Sequence, residues 1–186
     1  MKLIALISLS FLYLETTTKV NYLYVLILLI SILSDSFFVL EEHFYYYGLF
    51  LLILNRFLYI ILIRRTILTY SLKKIVFYSL PFLLTFVMIY TMLFESMTDI
   101  KTSSFLLGIF SVVLLLFTFL NLLNKNSNKS KYFFFGTTIL PFADAISAIA
   151  YYIETNLVYV IIYHVMYYLA RYLIFKSMVS KRKLNH

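Results

Sequence analysis

The chain has 186 residues, 63% of them hydrophobic and 13% charged, with a mean hydropathy of +0.93. A soluble domain is about 45–50% apolar and about 25% charged, so this composition exceeds what a soluble interior of that size can hide. Cysteine is absent, which removes disulfides, thiol nucleophiles and thiolate metal sites.

A membrane span needs ~20 apolar residues, somewhat fewer in a packed bundle, and seven stretches qualify: about 2–17, 20–40, 44–63, 75–94, 104–123, 132–153 and 157–177. All are expected to be helical, because open strands leave backbone groups unsatisfied in lipid. The expected fold class is therefore all-α, a single integral membrane domain built as a polytopic transmembrane helix bundle.

The first stretch is the weakest, its apolar core ending at Leu14. With Lys2 ahead of a short apolar run it also looks like a secretory signal. The basic residues argue otherwise. Twelve of the sixteen Lys and Arg fall in the loops after spans one, three and five and in the tail: Lys19; Arg64, Arg65, Lys73 and Lys74; Lys125, Lys129 and Lys131; Lys176, Lys181, Arg182 and Lys183. Lys2 and Lys101 stand on the opposite side, and Arg56 and Arg171 lie inside spans. Basic loops stay cytoplasmic, which predicts the N-terminus outside and the C-terminus inside. Cleavage after span one would invert the pattern.

The net charge of +8 is thus read as topology and attraction to anionic lipid, with the bilayer as partner and no nucleic acid. Acidic residues take the other side, at Glu41, Glu42, Glu95, Asp99 and Glu154, with Glu15 inside. The Asn128, Lys129, Ser130 triplet matches a glycosylation acceptor but falls in an inside loop. Aromatic residues cluster at span ends, at residues 44–47, 132–135 and 151–152, as interfacial anchors do.

Spans two and three carry Asp35 and Arg56 on either side of a turn at Glu41, Glu42 and His43. Spans six and seven repeat this with Asp144, a turn at residues 154–156, and Arg171. The two hairpins have the same orientation, which would make them a parallel repeat of the kind some transporters show. A charge at mid-bilayer costs at least ~2.5–3.5 kcal/mol, so these four residues must pair or serve a function. At ~1.5 Å per residue, pairing within a hairpin and pairing across hairpins are both in reach.

The functional alternative is a polar cavity toward the outer half of the membrane. Gly48, Leu52, Asn55, Arg56 and Tyr59 follow helical spacing as a polar, lightly packed face, and His164, Tyr167, Tyr168 and Arg171 do the same on span seven. Pro141, one turn before Asp144, leaves the Thr137 carbonyl without its helical donor. Pro81 in span four has no charged neighbour.

These residues resemble the YhhN family, multi-span membrane proteins that include lysoplasmalogenase. The family's Ser-x-x-Gly-Asp-x-x-Leu stretch is met by Ser31, Ser34, Asp35 and Phe38, with Ser34 for Gly and Phe38 for Leu. Its Gly, His and Tyr are met by Gly48, Arg56 and Tyr59; its Gly and Ser-Asp by Gly136, Ala143 and Asp144. Its Tyr-Tyr, Gln and Leu-Ile are met by Tyr167, Tyr168, Arg171, Leu173 and Ile174. Arginine therefore replaces both the His and the Gln. The resemblance covers spans two, three, six and seven, and family members usually have eight spans against seven here.

The resemblance implies hydrolysis of the vinyl-ether bond of a lysoplasmalogen, giving a fatty aldehyde and a glycerophospho-headgroup. Asp35 and Asp144 would be the catalytic pair, one protonated to deliver a proton to the vinyl ether and one ionised to orient water, like glycosidase carboxyls. Arg56, Tyr59, His164, Tyr168 and Arg171 would bind the substrate, a lysophospholipid or other membrane lipid, an arginine taking its phosphate. Two arginines facing two aspartates would instead hold both acids ionised. The competing readings are therefore a non-catalytic lipid- or small-molecule-binding protein locked by ion pairs, or a small transporter.

No cofactor or metal is expected. The three glycines make no phosphate loop, and His43, His164 and His186 have no metal-ligand spacing. A retinal protein needs a lysine within its last helix, where this chain has Arg171 and only the terminal Lys176. The expected location is a bacterial inner (cytoplasmic) membrane.

Overall fold

A computed structural model describes residues 2–40, 44–64, 72–97, 100–154 and 156–179, except the Leu72 side chain. The expected turn at Glu41, Glu42 and His43, together with Arg65, Asp99, Thr155, Lys181, Arg182, Lys183 and His186, lies outside them. Among the described residues there are seven helices and no strand: α1 (Lys2–Thr16), α2 (Tyr22–Val39), α3 (Tyr45–Arg64), α4 (Leu72–Leu93), α5 (Lys101–Lys125), α6 (Asn128–Tyr152) and α7 (Leu157–Met178). Each matches one predicted span to within a few residues.

Six of the seven, α2 to α7, are long and apolar enough to cross a membrane. α1 is not, since its 15 residues reach about 22 Å at 1.5 Å per residue, short of a hydrocarbon core of about 30 Å. The outward faces are apolar too. α4 buries only Leu93, at its end, among its described side chains and exposes Val76, Phe77, Leu80, Leu84 and Met88. A contiguous apolar surface of this kind marks a membrane or partner-facing side.

Short polar residues set the helix ends. Asn21 caps α2 by accepting from the Leu23 and Tyr24 amides, and Asn156 caps α7 by accepting from Val158. Between α5 and α6 the chain turns in two residues. Asn126 takes a left-handed conformation (φ 36°) that ends α5, and Ser127 accepts from the Ser130 amide to start α6. Asparagine is among the few residues that adopt that conformation readily.

Six helices close a ring in the order α1, α2, α3, α5, α6, α7 and back to α1, while α4 lies outside against α5 and touches α6. The most extensive packing is between α6 and α7, followed by α2 and α3, the two hairpins seen in the sequence. Gly136 sets the closeness of α6 and α7: a methyl group there would lie 2.9 Å from the Ala170 carbonyl oxygen and 3.0 Å from the Ile174 nitrogen. α1 joins through Tyr13, whose hydroxyl accepts from the Asn21 amide and whose ring packs edge-on against Tyr24 at 4.8 Å.

Candidate functional site

The polar face of α3 is packed rather than open, contrary to the expectation of a lightly packed surface. Asn55 is fully buried and donates through Nδ2 to the Ile27 carbonyl (3.0 Å) and to Ser31 Oγ (2.6 Å) on α2. Ser34 Oγ donates to the Gly48 carbonyl at 2.8 Å. These bonds fix how α3 is rotated against α2, and that rotation aims Arg56 and Tyr59 at the second hairpin.

The charges pair across hairpins. Arg56 Nη2, on α3, donates to Asp144 Oδ2 on α6 as a charge-assisted hydrogen bond. Tyr167, on α7, donates its hydroxyl to Asp35 Oδ2 on α2. Arg171 Nη1 donates to the Tyr59 hydroxyl on α3 at 3.2 Å, and its guanidinium lies 5.1 Å from the Tyr167 ring centre. Arg171 and Asp35 are also within electrostatic reach of each other. The arrangement is reciprocal: each hairpin sends residues of its second helix to the other hairpin's acid. Coulombic attraction between such groups is far stronger here than in water, so the exchange clamps the two hairpins together.

Burial divides the cluster. Arg56 and Tyr59 are 0% exposed, Arg171 4% and Asp35 7%, whereas the Asp144 side chain keeps 22%. Arg56 Nε and Nη1 and Arg171 Nε have no protein partner, so the guanidiniums hold donors in reserve around the acids.

Asp144 keeps its exposure because it faces a cavity of about 1000 Å³, at the upper end of small-molecule pockets. α3, α4, α5 and α6 form most of its wall, which is largely apolar and aromatic, including Leu52, Phe82, Phe86, Leu107 and Tyr152. Pro81 and Pro141 both line it, so the two helix-breaking residues meet at one place although only Pro141 has an acid nearby in sequence.

The cavity also shows a residue that sequence reasoning assigned to topology alone. Lys2 is on its wall, the one Lys or Arg there among the described residues. Its ammonium donates to the Tyr163 hydroxyl, lies 3.9 Å from the Tyr163 ring centre and 5.5 Å from that of Tyr167, and is within electrostatic reach of both Asp35 and Asp144. A signal was present: Lys2, Leu6, Leu9 and Tyr13 share one helical face, and Leu6 and Tyr13 are buried.

Of the seven predicted site residues, Asp35, Arg56, Tyr59, Asp144 and Arg171 come together. His164 and Tyr168 do not join them. His164 Nδ1 bonds the Val160 carbonyl one turn back at 2.7 Å, and its ring packs on Tyr163 and Tyr168. The inward stripe of α7 runs through Tyr167, Ala170, Arg171 and Ile174, which leaves His164 and Tyr168 half-buried beside it. No group of residues able to hold a metal ion occurs among the described residues.

Comparison with family models, curated proteins and solved structures finds no match.

Proposed function

We propose that this protein is a lipid hydrolase of the membrane, a divergent relative of the YhhN proteins, cleaving the vinyl-ether bond of single-chain lysoplasmalogen-class lipids. In this reading α1 is a seventh, short span, the N-terminus is outside and the C-terminus inside a bacterial inner membrane. The cavity then belongs to the outer half of the bilayer. The observation that carries the proposal is the cavity itself: a large aromatic wall for one hydrocarbon chain, with Asp144 and Lys2 at its polar part.

The chemistry needs a proton on the alkenyl carbon remote from the ether oxygen and water on the carbon bonded to that oxygen. The hemiacetal then collapses to aldehyde and glycerol hydroxyl. Asp144, paired with Arg56, orients the water and stabilises the oxocarbenium-like centre. In this reading Asp35 lies off the wall and supplies the proton by way of Tyr167, whose hydroxyl is bonded to it, and the neighbouring Tyr163 on the wall. Lys2 takes the phosphate role that the sequence suggested for an arginine, because both arginines are buried off the cavity wall.

A second reading is supported by the Arg56–Asp144 pair and by the placement of Asp35 away from the wall: a protein that binds the same lipid without cleaving it. Aldehyde release from a lysoplasmalogen by purified protein separates the two. Hydrolysis predicts turnover in wild type, and loss of turnover in folded Asp144→Asn. Lipid bound and returned uncleaved by wild type would sink the hydrolase reading and leave the binding one.

A further inference from the structure

The charges gathered between the two hairpins do not balance. Lys2, Arg56 and Arg171 stand against Asp35 and Asp144, the two acids within electrostatic reach of Lys2. Three cations over two acids leave one positive charge uncompensated. Hydrogen bonding is short on the same side, since Arg56 Nε and Nη1 and Arg171 Nε are buried without an acceptor. An interior of low polarity makes both shortages costly. The missing partner is an anion.

The cavity is where an anion can enter. Both arginines are off its wall: Arg56 is paired with Asp144, and Arg171 donates to Tyr59. Lys2 is half-buried on the wall, and among the described residues Arg56–Asp144 is the one ion pair in the cluster. An ammonium has three protons to give. Lys2 gives one to the Tyr163 hydroxyl, which leaves two for a ligand. Ser147, one turn of α6 beyond Asp144, lies next to Tyr163 on the same wall. The polar part of the cavity thus offers one cation and two hydroxyls, beside a carboxylate that already has its cation.

We propose that the large cavity selects single-chain lipids carrying one net negative charge, the anionic group being bound by Lys2 with Tyr163 and Ser147. This selectivity rests on the reading of the cavity as a lipid site, and it holds whether or not the lipid is cleaved. Among phospholipids the fitting headgroup is a phosphodiester without an ammonium, such as phosphoglycerol. Choline and ethanolamine headgroups fit poorly by the same count. Their ammonium restores the positive charge that their phosphate removes, and Asp144, the carboxylate on the wall, is held by Arg56. A fatty carboxylate carries the same single charge and shares the chemistry.

The test is displacement of a fluorescent single-chain lipid from the full chain in a nonionic detergent. The competitors share one saturated alkyl ether chain, which is not open to vinyl-ether hydrolysis, and differ in headgroup: phosphoglycerol, phosphocholine or phosphoethanolamine. Palmitate supplies the carboxylate. Wild type is expected to bind the phosphoglycerol lipid about tenfold or more tighter than the two zwitterionic lipids, the worth of one hydrogen bond to a charged group. Lys2→Met abolishes that preference, and Lys2→Arg keeps it. Palmitate competing as strongly as the phosphoglycerol lipid extends the site to any singly charged end, whereas weak competition confines it to phosphodiesters. Equal affinity of wild type for the phosphoglycerol and phosphocholine lipids overturns the selectivity and leaves the lipid site standing, a result that needs no variant to fold. A preference unchanged in Lys2→Met overturns it too. Binding of none of these lipids removes the lipid site along with it.

Discussion

Arg56 and Asp144 lie on different hairpins, and their ion pair ties α3 to α6. Removing one partner of a fully buried pair costs about 3–5 kcal/mol, whereas replacing both by apolar residues is often neutral. With 22% of the Asp144 side chain exposed, Asp144→Leu is expected to cost less, about 1–3 kcal/mol, the penalty of leaving a charged donor short of its partner. Adding Arg56→Met should recover part of that loss. Thermal unfolding of the two single variants and the double variant in detergent gives the coupling, expected at about 0.5–3 kcal/mol for groups in contact. Strict additivity would show that the pair does not clamp the hairpins.

Gly136 should tolerate no side chain. A Cβ would lie 2.7 Å from Ile174 Cγ1 and within 3.0 Å of α7 backbone atoms, and backbone cannot swing aside as a side chain can. Gly136→Ala is predicted to destabilise by about 1–3 kcal/mol, the range for overpacking. At Gly48 the nearest atoms to an added methyl belong to the Phe38 ring, at 3.0 Å or more, and Gly48→Ala should cost less. Unfolding midpoints of the two variants check the order.

Orientation is open to direct measurement because the chain has no cysteine. Single cysteines at Lys19 and Asn126, both exposed, should react with a membrane-impermeant maleimide only after the cells are opened. Cysteines at Glu95 and Glu154, also exposed, should react in intact cells. A cysteine placed ahead of Lys2 should also react in intact cells; its protection there, with Lys19 and Asn126 unchanged, would show that α1 does not precede α2 as an out-to-in span.

The helices were legible because apolar run length is a one-dimensional signal, and so were the four charged residues, because such runs normally exclude them. Their partners were not. Whether Arg56 meets Asp35 or Asp144 depends on the rotation of α3, which is set by Asn55 and Ser34 bonding to backbone and side chains of the neighbouring helix. His164 and Tyr168 went astray for a related reason. At 3.6 residues per turn, a face drawn through residues 164, 167, 168 and 171 is broad enough to include two that stand outside the buried stripe. Lys2 was hidden by its position, since a lysine at a helix end reads as a topological flank unless the buried face behind it is traced.

The central claim is that the large cavity receives a lipid chain with its polar end at Asp144, and photocrosslinking tests it most directly. A lysolipid with a diazirine along its chain would be irradiated with the purified protein and the labelled residues mapped by mass spectrometry. The account predicts labels on the cavity side of α4, at Phe82, Thr85, Phe86 and Ile89, suppressed when Ala148→Phe fills the wall. Labels confined to the outward residues Leu84, Val87 and Met88, unchanged by Ala148→Phe, would mean that lipid touches only the outside of the bundle and would contradict it.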